Sequence, residues 1–398
     1  MSIPEPSRTL ARQAAAGLLV AVLALSPVPS GTATPPASCG QAPQAAWQTL
    51  DLDTGTDSRA LHYYSSLTST QAPDNIRAAL IAVHGYRHDA NVTFNAAAQA
   101  TQEAGALATT LVVAPLFQVD STGAAGFHPC TTAGVPGLQP GDITWTCGGW
   151  SDGEAADLPN TGLTVYAAMD RLIAQIVAAY PSITRITVAG FSDGGQMVQR
   201  YAALATPPTG TPLLRFVVSD PGSWLYFDPV RPYPAIAGRP ARWSDCDHAS
   251  DDGLGDCNLA MLSLQAPLPE GWRPPSACTA VDWQARSNEW KYGTDALPPA
   301  LGSSAARMRS AYRTAEISYL VGRDDDSTAA TFSVLDKSCP AELQGDYRLQ
   351  RGLGYAEYDR SVLAGATHAV TIVHHCAHDV CCVLTAPEAR PALFPRSP

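Results

Sequence analysis

Six short runs, apolar and rich in β-branched residues, set the tightest limit on what this chain can fold into. They are AALIAV (78–83), TTLVVAP (109–115), RITVAG (185–190), LRFVVSD (214–220), ISYLVG (317–322) and DRSVLAG (359–365). Each is bounded by turn residues and is shorter than an ordinary helix, as expected of strands buried on both faces. Between them lie stretches with helical periodicity, such as TGLTVYAAMDRLIAQIVAAY (161–180) and the segment after Gly194. This alternation predicts an α/β domain on an open, mostly parallel central sheet with helices on both faces. Residues 46–66 read as two further strands around a glycine-containing turn. Residues 227–312 break the rhythm: they are rich in proline, hold four of the eight tryptophans and show no clear strand. They predict a loop-rich cap insertion over the sheet.

At the N-terminus, Arg8 and Arg12 precede an apolar run from Ala14 to Leu25, and Gly31 and Ala33 suit the small-residue positions of a cleavage site. This is the layout of a secretory signal peptide over 1–33, followed by a Pro/Ala/Gln-rich linker at 34–45 and one domain from 46 to 398. The apolar run is short of the roughly 20 residues of a membrane span. The mature chain is therefore expected to be secreted, extracellular or periplasmic, with no membrane span. A formal charge of −11 argues against nucleic acid and anionic membranes as partners. All ten cysteines follow the leader, and an even number in an exported chain points to disulfides. Cys130 with Cys147, and Cys246 with Cys257, suggest themselves as local pairs.

In an open α/β sheet, ligand-binding groups gather at the carboxyl ends of the strands. After RITVAG, the stretch Gly190-Phe191-Ser192-Asp193-Gly194 is a G-x-S-x-G turn between strand and helix. Such a turn holds a serine hydroxyl out at the top of the sheet. Ser192 is the candidate nucleophile; a structural serine in a glycine turn is the alternative. After AALIAV comes His84-Gly85-Tyr86, where a second backbone donor is needed, so the amides of Tyr86 and Asp193 form the candidate oxyanion hole. After ISYLVG come Asp324, Asp325 and Asp326; Asp325 is favoured as the triad acid, with Asp324 next. After DRSVLAG comes His368, the favoured base. His378 takes that role if AVTIV (369–373) is the last strand. Trp145 and Trp150 in TWTCGGWSDG, and Trp224 and Tyr226 in DPGSWLYFD, are candidate walls of a substrate pocket, with core packing the alternative for each.

Two stretches raise metals. VHHCAHDVCC (373–382) has apolar residues at helical spacing and reads as a final helix, its cysteines paired with distant ones such as Cys339. His374, His378 and Cys382 recur every four residues, but the spacing matches no standard zinc motif and no metal is assigned. In SDCDHASDDGLGDCN (244–258), five aspartates and Gly253 leave two readings, a structural calcium loop or a solvated acidic loop.

Taken together, VHGYRHDA, VAGFSDGGQMVQRYA, WKYG, YLVGRDDD and LAGATHAV resemble the α/β-hydrolase superfamily over roughly residues 77–395. They are most similar to exported esterases of the polyhydroxybutyrate-depolymerase-like and feruloyl-esterase-like group. The resemblance implies an α/β-hydrolase fold, a Ser-His-Asp triad acting on carboxylic esters through an acyl-enzyme, no cofactor, and a small or polymeric ester as substrate. It suggests Asp325 and His368 for the acid and the base. Asp193 departs from the pattern, because a small residue is more usual after the nucleophile. A peptidase or amidase with the same triad, and a binding protein on an inactive scaffold, are the alternative functions.

Overall fold

The computed structural model describes residues 39–40, 45–55, 57–68, 73–119, 135–158, 162–279, 282–327, 334–363 and 368–395. The expected signal peptide lies outside the described residues. In chain order the first elements are β1 (Ala46–Asp53), β2 (Ser58–Ser65), β3 (Ala78–Val83), α1 (Ala90–Glu103), β4 (Thr110–Leu116), α2 (Val165–Ala179), β5 (Arg185–Phe191), α3 (Asp193–Leu204) and β6 (Leu213–Ser219). There follow β7 (Val230–Ile236), β8 (Arg239–Pro240), β9 (Asn258–Ser263), α4 (Trp283–Arg286), α5 (Ala305–Thr314), β10 (Glu316–Gly322), α6 (Cys339–Glu342), α7 (Arg348–Tyr358), β11 (Ala369–Val373), α8 (Val380–Thr385) and α9 (Arg390–Leu393).

Eight strands form one sheet in the order β1-β2-β4-β3-β5-β6-β10-β11. From β4 to β11 every neighbouring pair is parallel, and β2 runs antiparallel to both β1 and β4. Alternate residues of the parallel strands feed two cores, as the two-residue period of a strand requires. Ile81, Val83, Ile186, Val188, Phe216 and Val218 pack with residues of α2, α3, α5 and α7. Leu80, Ala82, Ala189, Val217 and Leu320 pack with α1, α8 and α9. The chain enters the parallel part at β3, goes to β4 on one side, then crosses to β5 on the other. The loops after β3 and β5 therefore flank a point where the winding reverses, which is where such sheets hold ligands.

The first five runs are strands. The sixth is not: Asp359–Leu363 is a π-helical turn that continues α7. Tyr355, Tyr358 and Val362 keep the three-and-four spacing of a helix packed on the core, whereas Asp359, Arg360 and Ser361 supply no apolar alternation. The last strand is β11. VHHCAHDVCC is accordingly not one helix: Val373 ends β11 and only Val380 onward is helical.

The 227–312 segment also differs from expectation. β7, β8 and β9 form a second, antiparallel sheet in the order β8-β7-β9. Pro232 and Pro234 hide β7 in the sequence, because proline cannot donate to a ladder and reads as loop. The segment packs on α7, where Gln350 Nε2 donates to the Trp243 carbonyl at 2.9 Å.

Disulfides join Cys39 to Cys381, Cys246 to Cys257, Cys278 to Cys339 and Cys376 to Cys382. The Cys246–Cys257 pair was expected. Cys339 pairs within the 227–342 region and not with a C-terminal cysteine. Cys147 is also disulfide-bonded; Cys130, its expected partner, lies outside the described residues. Among the described residues no helix is long and apolar enough to cross a membrane.

Candidate active site

β5 delivers its chain straight into α3 through Ser192, whose φ of 59° is unusual for a residue with a side chain. The turn closes because two neighbours are glycines. A Cβ on Gly190 would lie 2.1 Å from the Gly194 carbonyl oxygen, and one on Gly194 would lie 2.3 Å from the His84 oxygen. The Ser192 N–H donates to the Ser219 carbonyl at 2.9 Å, anchoring the turn to the end of β6. This is the strained strand-turn-helix that a G-x-S-x-G sequence requires.

Three side chains meet at the carboxyl ends of β5, β10 and β11. The Ser192 Oγ lies 2.9 Å from His378 Nε2, and His378 Nδ1 lies 2.6 Å from Asp325 Oδ2. The carboxylate can only accept, so Nδ1 carries the proton and Nε2 faces the serine hydroxyl as an acceptor. Asp325 is fully buried, whereas Asp324 is exposed and Asp326 faces His248 at 4.0 Å. Behind the acid, Arg348 Nη1 stands 3.9 Å from Asp325 Oδ1. Burial, reinforced by the Arg348 charge and opposed by Asp325, lowers the His378 pKa to about 4. The Phe191 ring covers the imidazole at 4.6 Å between centroids.

One residue ties the nucleophile turn to the acid turn. Asp220 follows the Ser219 carbonyl that holds Ser192, its N–H donates to Leu320 O at 3.1 Å, and its Oδ1 accepts the Gly322 N–H at 2.8 Å. Burial and the neighbouring Asp325 push the Asp220 carboxyl well above its ordinary range.

The loop after β3 runs beside the nucleophile: a Cβ on Gly85 would lie 3.2 Å from the Ser192 Cβ. Tyr86 follows Gly85 in that loop, and Asp193 opens α3 directly after Ser192. His84 shapes the loop by placing Nδ1 2.9 Å from the Gly85 carbonyl and accepting the Phe117 N–H at Nε2, 3.1 Å away. Burial lowers its pKa to about 4, which keeps that acceptor available. The unusual Asp193 side chain is half-buried and held, accepting the Ser151 hydroxyl at 2.8 Å and the Gln196 amide. Gln196 Oε1 in turn accepts the Ser223 hydroxyl at 2.6 Å. Burial and Asp152 raise the Asp193 pKa. None of Ser151, Gln196, Asp220 or Arg348 carries a motif; they become visible only once the strand ends converge.

His368, the favoured base in the sequence, is not in this cluster. It precedes β11, so it sits at the amino end of a strand whose carboxyl end leads to His378. Five strand residues separate the two ends by about 17 Å. The sequence reading put His368 after a strand because it took 359–365 as the last strand. His368 is buried, with Nδ1 2.5 Å from Asp359 Oδ2 and Nε2 3.1 Å from the Ala315 carbonyl. Tyr319 donates its hydroxyl to the same Asp359 oxygen at 2.5 Å.

The four aromatic candidates for pocket walls are core residues, each no more than 1 % exposed. Trp150 stacks on Phe117, Trp224 stacks on Tyr355, Trp145 meets Phe117 edge-on, and Tyr226 packs under the Arg231 guanidinium. Their size made them good pocket candidates and equally good core residues. A cavity of about 580 Å³ lies elsewhere, bordered by Leu67, Ile76, Phe94 and Leu107, and touches none of the three converging residues. Among the described residues no group of three His, Cys, Asp or Glu side chains is arranged to hold a metal ion. Cys382, offered with His374 and His378 as a ligand set, is in a disulfide. The 244–258 loop gives calcium no support: Asp245, Asp247 and Asp252 accept backbone N–H groups of their own loop.

No protein-family model and no curated protein matches the sequence. Solved structures match in fold. Poly(aspartic acid) hydrolase-1 of Sphingomonas sp. KT-1 is 16 % identical with a TM-score of 0.50, over 85 % of this chain and 96 % of that one. A poly(3-hydroxybutyrate) depolymerase of Bordetella parapertussis is 15 % identical with a TM-score of 0.49, over 89 % and 92 %. Carboxyl esterase 2 of Tuber melanosporum is 15 % identical with a TM-score of 0.40, over 88 % and 84 %. At these identities the likeness is one of fold. The first of these likenesses, together with the sheet order and the Ser192 turn, gives the chain the α/β-hydrolase fold expected from the sequence.

Proposed function

We propose that this protein is an exported serine hydrolase that cleaves carboxylic esters with Ser192, His378 and Asp325. The observation that carries the reading is the unbroken relay from Ser192 Oγ through both ring nitrogens of His378 to Asp325. His378 Nε2 takes the serine proton as Oγ attacks the ester carbonyl, and Asp325 stabilises the imidazolium that forms. The Tyr86 and Asp193 amides receive the oxyanion, aided by the amino end of α3. The imidazolium protonates the departing alcohol, and water, deprotonated by His378, then releases the acid from the acyl-enzyme. Export is supported by the disulfides and by the leader-like N-terminus.

Hydrolysis of p-nitrophenyl esters of graded acyl length, beside a matched p-nitroanilide, tests the reading. Turnover of esters well above that of the anilide is the expected result. Anilide turnover at a comparable rate would make the protein an amidase or peptidase, and inactivity on both would favour a binding scaffold. The pH dependence gives a sharper check. His378 acts as base only when neutral, and its lowered pKa keeps it neutral down to about 4. The acid limb of kcat/KM should therefore have its midpoint near pH 4, below the ordinary histidine value of about 6.5. A midpoint at the ordinary value would show that the imidazole is solvated in the working enzyme.

A further inference from the structure

His378 hangs on the short stretch between β11 and α8, and cysteines fix that stretch from both sides. The Cys376–Cys382 disulfide, with a sequence separation of 6, closes a ring that contains His378. The adjacent Cys381 ties the first turn of α8 to Cys39, 342 residues earlier. Inside the ring, Asp379 caps α8 by accepting the Cys382 N–H at 2.8 Å. Cys376 also touches the acid loop directly. Its carbonyl accepts the Asp324 N–H at 2.9 Å and would lie 2.7 Å from any Cβ on Gly322. α8 has only six residues, too few to hold its own conformation or to orient a loop. The residue that grips the acid loop is thus one end of the bond that closes the histidine ring.

We infer that the Cys376–Cys382 disulfide, backed by Cys39–Cys381, is a positioning element of the catalytic site that holds His378 between Ser192 and Asp325. The inference rests on the triad reading above. It gives the cysteines of VHHCAHDVCC a role in turnover beyond stability. It also makes the site sensitive to reductants. A dithiol that attacks Cys376–Cys382 leaves as its own disulfide, giving up two electrons and two protons to form two cysteine thiols. The histidine loop is then held by Cys39–Cys381 and by non-covalent contacts, without the bond that closes its ring.

The test compares wild type, Cys376→Ser/Cys382→Ser and Cys278→Ser/Cys339→Ser on p-nitrophenyl butyrate, below the melting temperature of each. Loss of the 376–382 bond should lower kcat by about 100-fold, the order of a 1 Å misplacement, with KM little changed. The acid limb should also rise from about 4 toward the ordinary value, because the ring loses its burial among Ser192, Phe191, Asp325, Arg348 and Asp379. Loss of Cys278–Cys339, which packs in a separate core with Leu262, Leu264 and Trp272, should lower the melting temperature but leave kcat and the limb in place. An unchanged kcat and limb in Cys376→Ser/Cys382→Ser would overturn the inference. Should that variant not fold, dithiothreitol titration of the wild type replaces it, with alkylation and mass spectrometry reporting which bond opens. Activity must then fall as Cys376–Cys382 opens and return on reoxidation; activity that survives with the bond open overturns the inference. His378→Ala belongs in the same series. If it stays active the triad reading itself fails. If it is dead while the Cys376→Ser/Cys382→Ser protein is unimpaired, only the disulfide inference fails.

Discussion

Replacing His378 with alanine should lower kcat for ester hydrolysis by a factor on the order of 10³ or more, while His368→Ala stays near wild type on the same substrate. The reason is positional. His378 Nε2 is the acceptor within hydrogen-bond distance of the Ser192 hydroxyl, and His368 is at the other end of β11. Residues that act as one unit are not additive. Ser192→Ala/His378→Ala should therefore be no worse than either single variant. If His368→Ala lost the activity and His378→Ala kept it, the strand placement at the C-terminus would be wrong, and the site with it.

His368→Ala should instead cost stability. Its ring is buried between the Asp359 carboxylate and the Ala315 carbonyl, and Tyr312 and Tyr319 pack edge-on against it. Removing it leaves Asp359 buried with Tyr319 as its remaining donor. Leaving a buried polar group without one of its hydrogen-bond partners costs about 1–3 kcal/mol. Guanidinium denaturation of the oxidised protein should show a midpoint lowered accordingly, with the slope unchanged. A midpoint equal to wild type would mean that the Asp359 cluster is open to water in solution. The two histidines thus divide cleanly: one variant should be stable and inactive, the other active and less stable.

The difference between these histidines also shows how far the sequence could be read. Five parallel strands were legible because runs such as RITVAG and ISYLVG are largely apolar, and the turn residues after them mark where each ends. Ser192 was singled out by G-x-S-x-G after a strand, and Asp325 by the strand end before it and by the resemblance. Asp325 could be chosen over its neighbours only loosely, since three consecutive aspartates differ in burial and not in pattern. His368 was favoured over His378 because DRSVLAG and AVTIV are both short and weakly periodic. Only the helical spacing of Tyr355, Tyr358 and Val362, and the pairing of β11 with β10, decide between them. The supporting residues were invisible for a different reason. Asp220, Arg348, Ser151 and Gln196 come from separate elements and act through distance, which no local spacing encodes. The cysteines of VHHCAHDVCC were legible as disulfide formers, but their partners were not, because Cys39 and Cys381 are 342 residues apart in sequence and no local spacing links them.

The most direct test of the central claim is covalent. The oxidised wild-type protein, Ser192→Ala and His378→Ala would each be incubated with a fluorophosphonate and analysed by intact-mass and peptide mass spectrometry. The account predicts one adduct per wild-type chain, located on Ser192, absent from Ser192→Ala and formed far more slowly in His378→Ala. A wild-type protein that stays unlabelled, or one labelled at another residue, would contradict it.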